Sequence, residues 1–300
     1  MMKIGLIGYT GFVGSNILKQ LKDSGYEDRE LKLYNSKNIK SIYGENFDLL
    51  IISGVSANKT YANMSPKNDL FNISSLYEDL KKAFADKVVV ISTIDVFTND
   101  AYGQNRKYFE NKIKSISTFK TVKILRLPGL FGSGLKKNSI YDMMNLIPTF
   151  IKHDKFIELS KINSKLFDWY SYNKEKNVYE VKVKNKEVEQ AFKDLGFTSL
   201  NFSNATSDFC WFNLQNVLSE IWDLIDSNSD EITITSQSIT NEEIAKIIGI
   251  DLSLFKSPIV VSYKCVNIIG KIKVYPKEEI LSDIKRFVNA SMRQFDDVTL

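Results

Sequence analysis

The sequence predicts an α/β protein: a doubly wound parallel sheet with a smaller mixed lobe attached. Two observations predict it. The first is Lys3-Ile4-Gly5-Leu6-Ile7-Gly8-Tyr9-Thr10-Gly11-Phe12-Val13-Gly14, a short apolar run followed by glycines at three-residue spacing. A helical pattern begins at Ser15 and runs to Leu21. The second is the alternation of apolar runs with helical patterns through the first half of the chain. That alternation implies parallel strands joined by crossover helices.

Taken in order, Lys3 to Ile7 reads as a buried first strand. Leu31-Lys32-Leu33-Tyr34 is the second, Asp48 to Gly54 the third, Lys87 to Thr93 the fourth and Thr121 to Arg126 the fifth. Helical patterns lie between them, including Asp69 to Phe84 and Asn105 to Ile116. From Phe131 the pattern loosens. Residues 152–204 are rich in lysine, asparagine and tyrosine, with helical pieces, and read as an inserted lobe. Glu231 to Thr235 reads as a strand returning to the sheet, and Thr240-Asn241-Glu242-Glu243 opens a helix as a capping box. The division expected is 1–131 plus about 205–240 for the sheet domain, with 132–204 and 241–300 forming the lobe.

Composition sets bounds on function. Three hundred residues, 43% of them hydrophobic, bury a sizeable core. A net charge of +4 is mild and spread along the chain, so nucleic acid is not expected as a partner, whereas a small anion is welcome. Two cysteines, Cys210 and Cys265, do not make a disulfide framework and suit a reducing cytoplasm. A lone His153 and the lack of a CxxC pair argue against a metal site. No apolar stretch reaches the length of a membrane span, and the amino end reads as a strand rather than a signal peptide. A soluble, cytoplasmic protein is expected.

The opening segment has the order a dinucleotide needs. One glycine turns the chain sharply, one admits a pyrophosphate to the backbone, and one lets helix and strand pack closely. The first amides of the helix then meet the phosphates. On this reading Gly8, Tyr9, Thr10, Gly11, Phe12, Val13 and Gly14 hold the coenzyme.

With further segments the chain resembles the extended branch of the short-chain dehydrogenase/reductase superfamily, whose sheet domain is of the Rossmann type. Four pieces carry the resemblance: the G-Y-T-G-F-V-G stretch at residues 8–14, Ile91-Ser92-Thr93-Ile94-Asp95-Val96-Phe97, Tyr102-Gly103-Gln104-Asn105-Arg106 with Glu110, and Arg126-Leu127-Pro128-Gly129-Leu130-Phe131-Gly132. The match covers residues 1–135 well and the return strand loosely. It implies a nicotinamide-dependent oxidoreductase or epimerase acting on a nucleotide-activated sugar in surface polysaccharide synthesis, with a homodimer among the expectations. By resemblance Thr93 bonds the reacting oxygen, Tyr102 is the acid/base, and Arg106 takes the usual lysine's place. A tyrosine with a pKa of about 10 is a poor base at neutral pH, so such chemistry wants a fixed cation beside it.

Arg106 departs from the family pattern: it keeps the charge but does not pass on a proton. Tyr108 and Lys112 offer a competing, intact Y-x-x-x-K register. Tyr102 is favoured by Gly103, by Glu110 and by its 24-residue distance from Arg126, against 18 for Tyr108. Against it, only nine residues separate Thr93 from Tyr102, an unusually short loop. Ile94 stands where the dehydratases carry an acid, which disfavours dehydration, and Asp95 reads as a structural or capping carboxylate.

The second strand ends in Asn35-Ser36-Lys37 with no acid. That favours NADP modestly over NAD, because a cation accepts the extra phosphate that an acid would repel. By resemblance Ser53, Gly54 and Val55 lie along the adenosine and Pro128 near the nicotinamide. Lys136, Lys137 and Asn138 are candidates for the substrate diphosphate, and Trp211 for stacking on sugar or base, although packing of a helix start against the core is the favoured reading of its aromatic run. A different class stays open: a coenzyme-binding protein with little or no turnover, as Arg106 and the short loop suggest.

Overall fold

In the computed structural model, residues 2–264 and 270–297 are described; Cys265 lies outside them, and Cys210 is buried. The chain forms two compact units. The first comprises Met1–Leu135, Cys210–Ser238 and Lys264–Ile280; the second comprises Lys136–Phe209, Ile239–Tyr263 and Leu281–Leu300.

The first unit is built on seven parallel strands: β1 (Ile4–Ile7), β2 (Leu31–Tyr34), β3 (Asn46–Ile52), β4 (Phe84–Thr93), β5 (Phe119–Leu127), β6 (Glu231–Ser236) and β7 (Lys271–Tyr275). Their spatial order is β7-β6-β5-β4-β3-β1-β2, and every pairing is parallel. Ile4, Leu6, Leu49, Leu50 and Ile51 are all fully buried. Consecutive buried residues mean that both faces of the sheet are covered, as parallel sheets require.

Five helices of this unit do the covering or frame the strand ends: α1 (Phe12–Asp23), α2 (Lys59–Met64), α3 (Pro66–Leu80), α4 (Ala101–Lys114) and α5 (Val217–Asp226). Phe109 and Ile113 of α4 lie one turn apart, on the same face. With Ile73 and Leu80 of α3 they join Leu50, Ile52, Val88 and Val90 of the sheet in one core. Pro66, with its preset φ, opens α3, and the Asp100 carboxylate caps α4 by accepting from the Gly103 amide at 2.8 Å.

The five strands read from the sequence appear with ends shifted by a few residues at most. Two differences have physical causes. The sequence pattern starts the fourth helix at Asn105, but the Asp100 cap lets it start at Ala101. Phe84, expected to end a helix, instead opens β4, because the Leu80 turn has closed before it. The edge strand β7 has no counterpart in the sequence reading, although Lys271-Ile272-Lys273-Val274-Tyr275 alternates as an edge strand does.

The strand order fixes where a ligand belongs. The chain steps from β1 outward to β2, then returns across β1 to β3 and continues the other way. The winding therefore reverses between β1 and β3, and it is in the crevice at the carboxyl ends of such strands that doubly wound sheets take their ligands.

The second unit carries a three-stranded antiparallel sheet of Phe150–Lys152, Val178–Val181 and Tyr170–Asn173. Its core is aromatic: Phe156, Tyr170 and Phe192 are buried, and Phe156 stacks on Tyr179 with centroids 3.6 Å apart. His153 is half-buried, edge-on to Tyr172. The Thr240–Glu243 capping box forms as the sequence predicts and starts the helix Asn241–Ile248.

Candidate functional site

At the β1–β3 crevice the backbone is drawn into a knot. Gly8 has φ +84°, a left-handed conformation that side chains rarely adopt, and a Cβ there would sit 2.6 Å from the Gly54 Cα. A Cβ on Gly14 would lie only 2.1 Å from the Gly8 carbonyl oxygen. The first turn of α1 thus presses directly on the turn leaving β1. Gly8 donates to the Tyr34 carbonyl, Gly11 to that of Gly8, and the Ser53 hydroxyl to that of Ile7 at 2.8 Å.

What this knot leaves open suits a diphosphate. Helix α1 has twelve residues, no side chain capping its amino end and no acid in its first turn. Its first amides, from Phe12 onward, have no intrahelical acceptor, and the helix dipole adds positive potential there. Thr10 and Gly11 are exposed while Gly14 is buried. The residues present fit a dinucleotide.

Asn35, Ser36 and Lys37 follow β2 in a tight turn. The Asn35 carboxamide oxygen accepts from the Lys37 amide at 2.9 Å, and its nitrogen reaches the Tyr9 hydroxyl at 3.3 Å. Ser36 and Lys37 are exposed. Gly54 is exposed, and Ser53 and Val55 are half-buried. Pro128 is buried between β5 and the short strand Gly129–Phe131.

Thr93 ends β4, and beside it lies a charged cluster drawn from three chain segments. The Thr93 hydroxyl donates to the Asp95 carboxylate at 2.9 Å and accepts the Asp95 amide at 3.2 Å. Lys59 of α2 ion-pairs with that carboxylate and with Asp100 at 3.0 Å. A Cβ on Gly103 would lie 2.0 Å from the Asp95 carbonyl oxygen, so the glycine brings α4, and with it Tyr102, against this segment. The Tyr102 amide donates to the Asn63 side chain at 2.9 Å. Tyr102 is 6% exposed, whereas Tyr108 is 37% exposed with Lys112 over its ring. Tyr102 is therefore the tyrosine at the strand ends, and Tyr108 lies on the outer face of α4.

Arg106 is arranged differently from what the sequence suggests. Its guanidinium takes both oxygens of Asp69 in α3, at 2.9 and 3.0 Å, donates to the Ser56 carbonyl and lies over the Tyr102 ring at 4.3 Å. Both partners of the pair are about 95% buried on the side chain. Burial pushes the Tyr102 phenol above its ordinary value, and the pull of Arg106 and Lys59 does not overcome it. Arg106 pulls the tyrosine down, but its pull, shared with the paired Asp69, is outweighed by burial. Burial would lower Lys59, but its bonds to Asp95 and Asp100 hold it above the ordinary lysine value. Asp100 sits below its ordinary value: the Gly103 amide and Lys59 outweigh burial.

Glu110 and Arg126, both part of the motifs quoted above, form a buried two-point ion pair at 2.9 and 2.6 Å that ties α4 to β5. Lys136 and Lys137 are exposed at the start of the second unit, and Asn138 caps the short helix Ser139–Met144. Trp211 is 2% exposed, with its ring against Gly129, so its face is spent on packing.

Sequence reasoning missed Lys59, Asp69, Ser56 and Asn63. A buried arginine needs an acid, and Asp69 lies in the first turn of the preceding helix, which is a usable signal. Lys59 has no local signature. Among the described residues no group of three or more His, Cys, Asp or Glu is placed to hold a metal, and no helix is long and apolar enough to cross a membrane.

No family model matches the sequence, and no curated protein does. Solved structures do. An NAD-dependent NDP-hexosamine 5,6-dehydratase of tunicamycin biosynthesis superposes with a TM-score of 0.58 at 12% identity, covering 99% of this chain and 98% of that one. The UDP-glucose 4-epimerase of Thermotoga maritima, solved with UDP-glucose, gives 0.57 at 11%, covering 98% and 99%. The dTDP-4-dehydrorhamnose reductase of Yersinia enterocolitica gives 0.53 at 14%, covering 96% and 99%. The chain shares its fold with this dehydratase, this epimerase and this reductase, in keeping with the resemblance its sequence motifs carry.

Proposed function

We propose that this chain binds a nicotinamide dinucleotide, NADP in preference to NAD, and works on a hydroxyl-bearing carbon of a nucleotide-activated sugar for surface polysaccharide. The observation that carries this reading is the glycine knot at the winding reversal, with the uncapped start of α1 beside it. The α1 amides take the diphosphate, and Tyr9 flanks it. Asn35, Ser36 and Lys37 face the 2′-phosphate, Ser53, Gly54 and Val55 the adenosine side, and Pro128 the nicotinamide side. When bound, the nicotinamide supplies hydride acceptance or donation. Thr93 and Tyr102 position the sugar oxygen and handle its proton, and Arg106 packs over the Tyr102 ring rather than holding a ribose. The second unit is the proposed substrate lobe, with Lys136, Lys137 and Asn138 as phosphate contacts. Dehydration is disfavoured, since Ile94 has no proton to give.

One observation favours a second reading. With Arg106 neutralised by Asp69 and Tyr102 raised, the chain suits coenzyme binding with little turnover. Tyr102→Phe, assayed by nicotinamide absorbance with a panel of UDP- and dTDP-sugars, separates the two. The enzymatic reading predicts a loss of about 10²- to 10⁴-fold with coenzyme affinity kept. Equal inertness of wild type and variant, with equal coenzyme binding, favours the second.

A further inference from the structure

A hydroxyl has one hydrogen and two lone pairs. The Thr93 hydrogen goes to Asp95 Oδ2, and one of its lone pairs takes the Asp95 amide. Half-buried at the end of β4, Thr93 therefore meets an incoming ligand as an acceptor. Tyr102 is set in the opposite sense. The Arg106 guanidinium lies over its ring at 4.3 Å, and burial favours the protonated phenol, whose O–H can donate. An acceptor at Thr93 with a donor at Tyr102 complements an alcohol, which both gives and receives hydrogen bonds. A ketone oxygen only accepts, and would face Thr93 lone pair to lone pair.

The carboxylate that imposes this polarity is itself held. Asp95 is 4% exposed, and Lys59, carried by a helix 36 residues earlier in the chain, supplies its counter-charge while also binding Asp100. An unpaired carboxylate at that depth would be costly.

We propose that the site takes its substrate as the alcohol, and that Asp95, acting through Thr93, receives the proton. This rests on the function proposed above. The substrate O–H bond breaks and its proton passes to Thr93 Oγ1, whose own hydrogen moves to Asp95 Oδ2. A bound oxidised nicotinamide would supply the acceptor for the C–H electron pair as hydride, so that the C=O bond could form on the same carbon. Asp95 is a positioning residue and Lys59 its counter-ion; Thr93 and Tyr102 touch the reacting oxygen.

The test begins with binding. Calorimetry compares dTDP-6-deoxyglucose with dTDP-4-keto-6-deoxyglucose on the full chain, a pair that differs only in hydroxyl against carbonyl. Wild type is expected to favour the alcohol by about tenfold, the scale of one mismatched hydrogen bond. Asp95→Ala frees the Thr93 hydrogen and should erase or reverse that preference, and Thr93→Val, nearly the same shape, should erase it too. Added formate should restore alcohol oxidation to Asp95→Ala but not to Thr93→Val, a rescue that a merely structural carboxylate would not show. Coenzyme affinity checks that each variant is folded. An Asp95→Ala protein that keeps the wild-type preference and rate, while Tyr102→Phe is inactive, overturns the relay and leaves the enzyme reading standing. A wild type that binds neither sugar and turns over none removes both.

Discussion

The glycine knot at β1 and the charged cluster at β4 sit in the same unit but are made of different material. The knot is backbone: its shape follows from where side chains are missing, and all of Gly8, Gly11 and Gly14 lie within seven consecutive residues. The cluster is side chain, and its members come from α2, α3, the end of β4 and α4. A site made of backbone is specified locally, whereas a site made of paired charges depends on partners that the fold delivers from elsewhere. Arg106 shows the consequence. Read alone it is a cation beside Tyr102; read with Asp69 it is half of a neutral pair.

Experiments that break this contrast differ in size. The largest effect belongs to the knot. Gly14→Val puts a Cβ 2.1 Å from a backbone oxygen that has no room to retreat, and should abolish coenzyme binding in calorimetry while destabilising the unit. Retention of wild-type affinity would mean that the α1 contact is not the binding site.

Asp69→Ala comes next. It strands the Arg106 guanidinium in the interior without its carboxylate, a loss of about 3–5 kcal/mol in chemical denaturation. Replacing both partners, in an Asp69→Leu, Arg106→Met protein, should recover much of that loss, because well-packed apolar residues tolerate burial better than one orphaned charge. A double variant as unstable as the single one would show that the pair does more than neutralise itself.

A smaller effect is read by pH. The folded-state pKa of Tyr102 is raised above its ordinary value of 10.0, chiefly by burial. Its contribution to stability is therefore fully present below pH 10 and is lost as pH rises through the folded value. Tyr102→Phe should flatten the alkaline fall in stability, measured as the denaturation midpoint against pH. An unchanged slope would place the phenol in solvent.

The smallest effect lies at the coenzyme rim. Lys37 is exposed, and one screened charge is worth about 1 kcal/mol or less. Lys37→Ala should weaken NADP several-fold and leave NAD unchanged. Equal losses for both would remove the 2′-phosphate assignment.

Legibility followed the same division. The strands of the sheet and the glycine loop were readable because hydrophobic runs and glycine spacing act over a few residues. That Tyr102 is buried and Tyr108 exposed was foreshadowed by Gly103, which marks the close approach of α4 to the Asp95 carbonyl. Edge strand β7 was not read, because five alternating residues far from the other strands carry little pattern. Trp211 reads as a packing residue before a stacking one, and its ring does pack, against Gly129, although an aromatic run does not say which ring that strand will cover. Lys59 was invisible for a plainer reason: nothing in Asn58-Lys59-Thr60 announces two acids that follow 36 and 41 positions later.

Titration of the purified chain with NADP and with NAD in a calorimeter tests the central claim most directly. The account predicts one saturable site, tighter for NADP, that Gly14→Val destroys and Tyr102→Phe leaves intact. No heat with either coenzyme, at concentrations where the folded protein is verified, would contradict it.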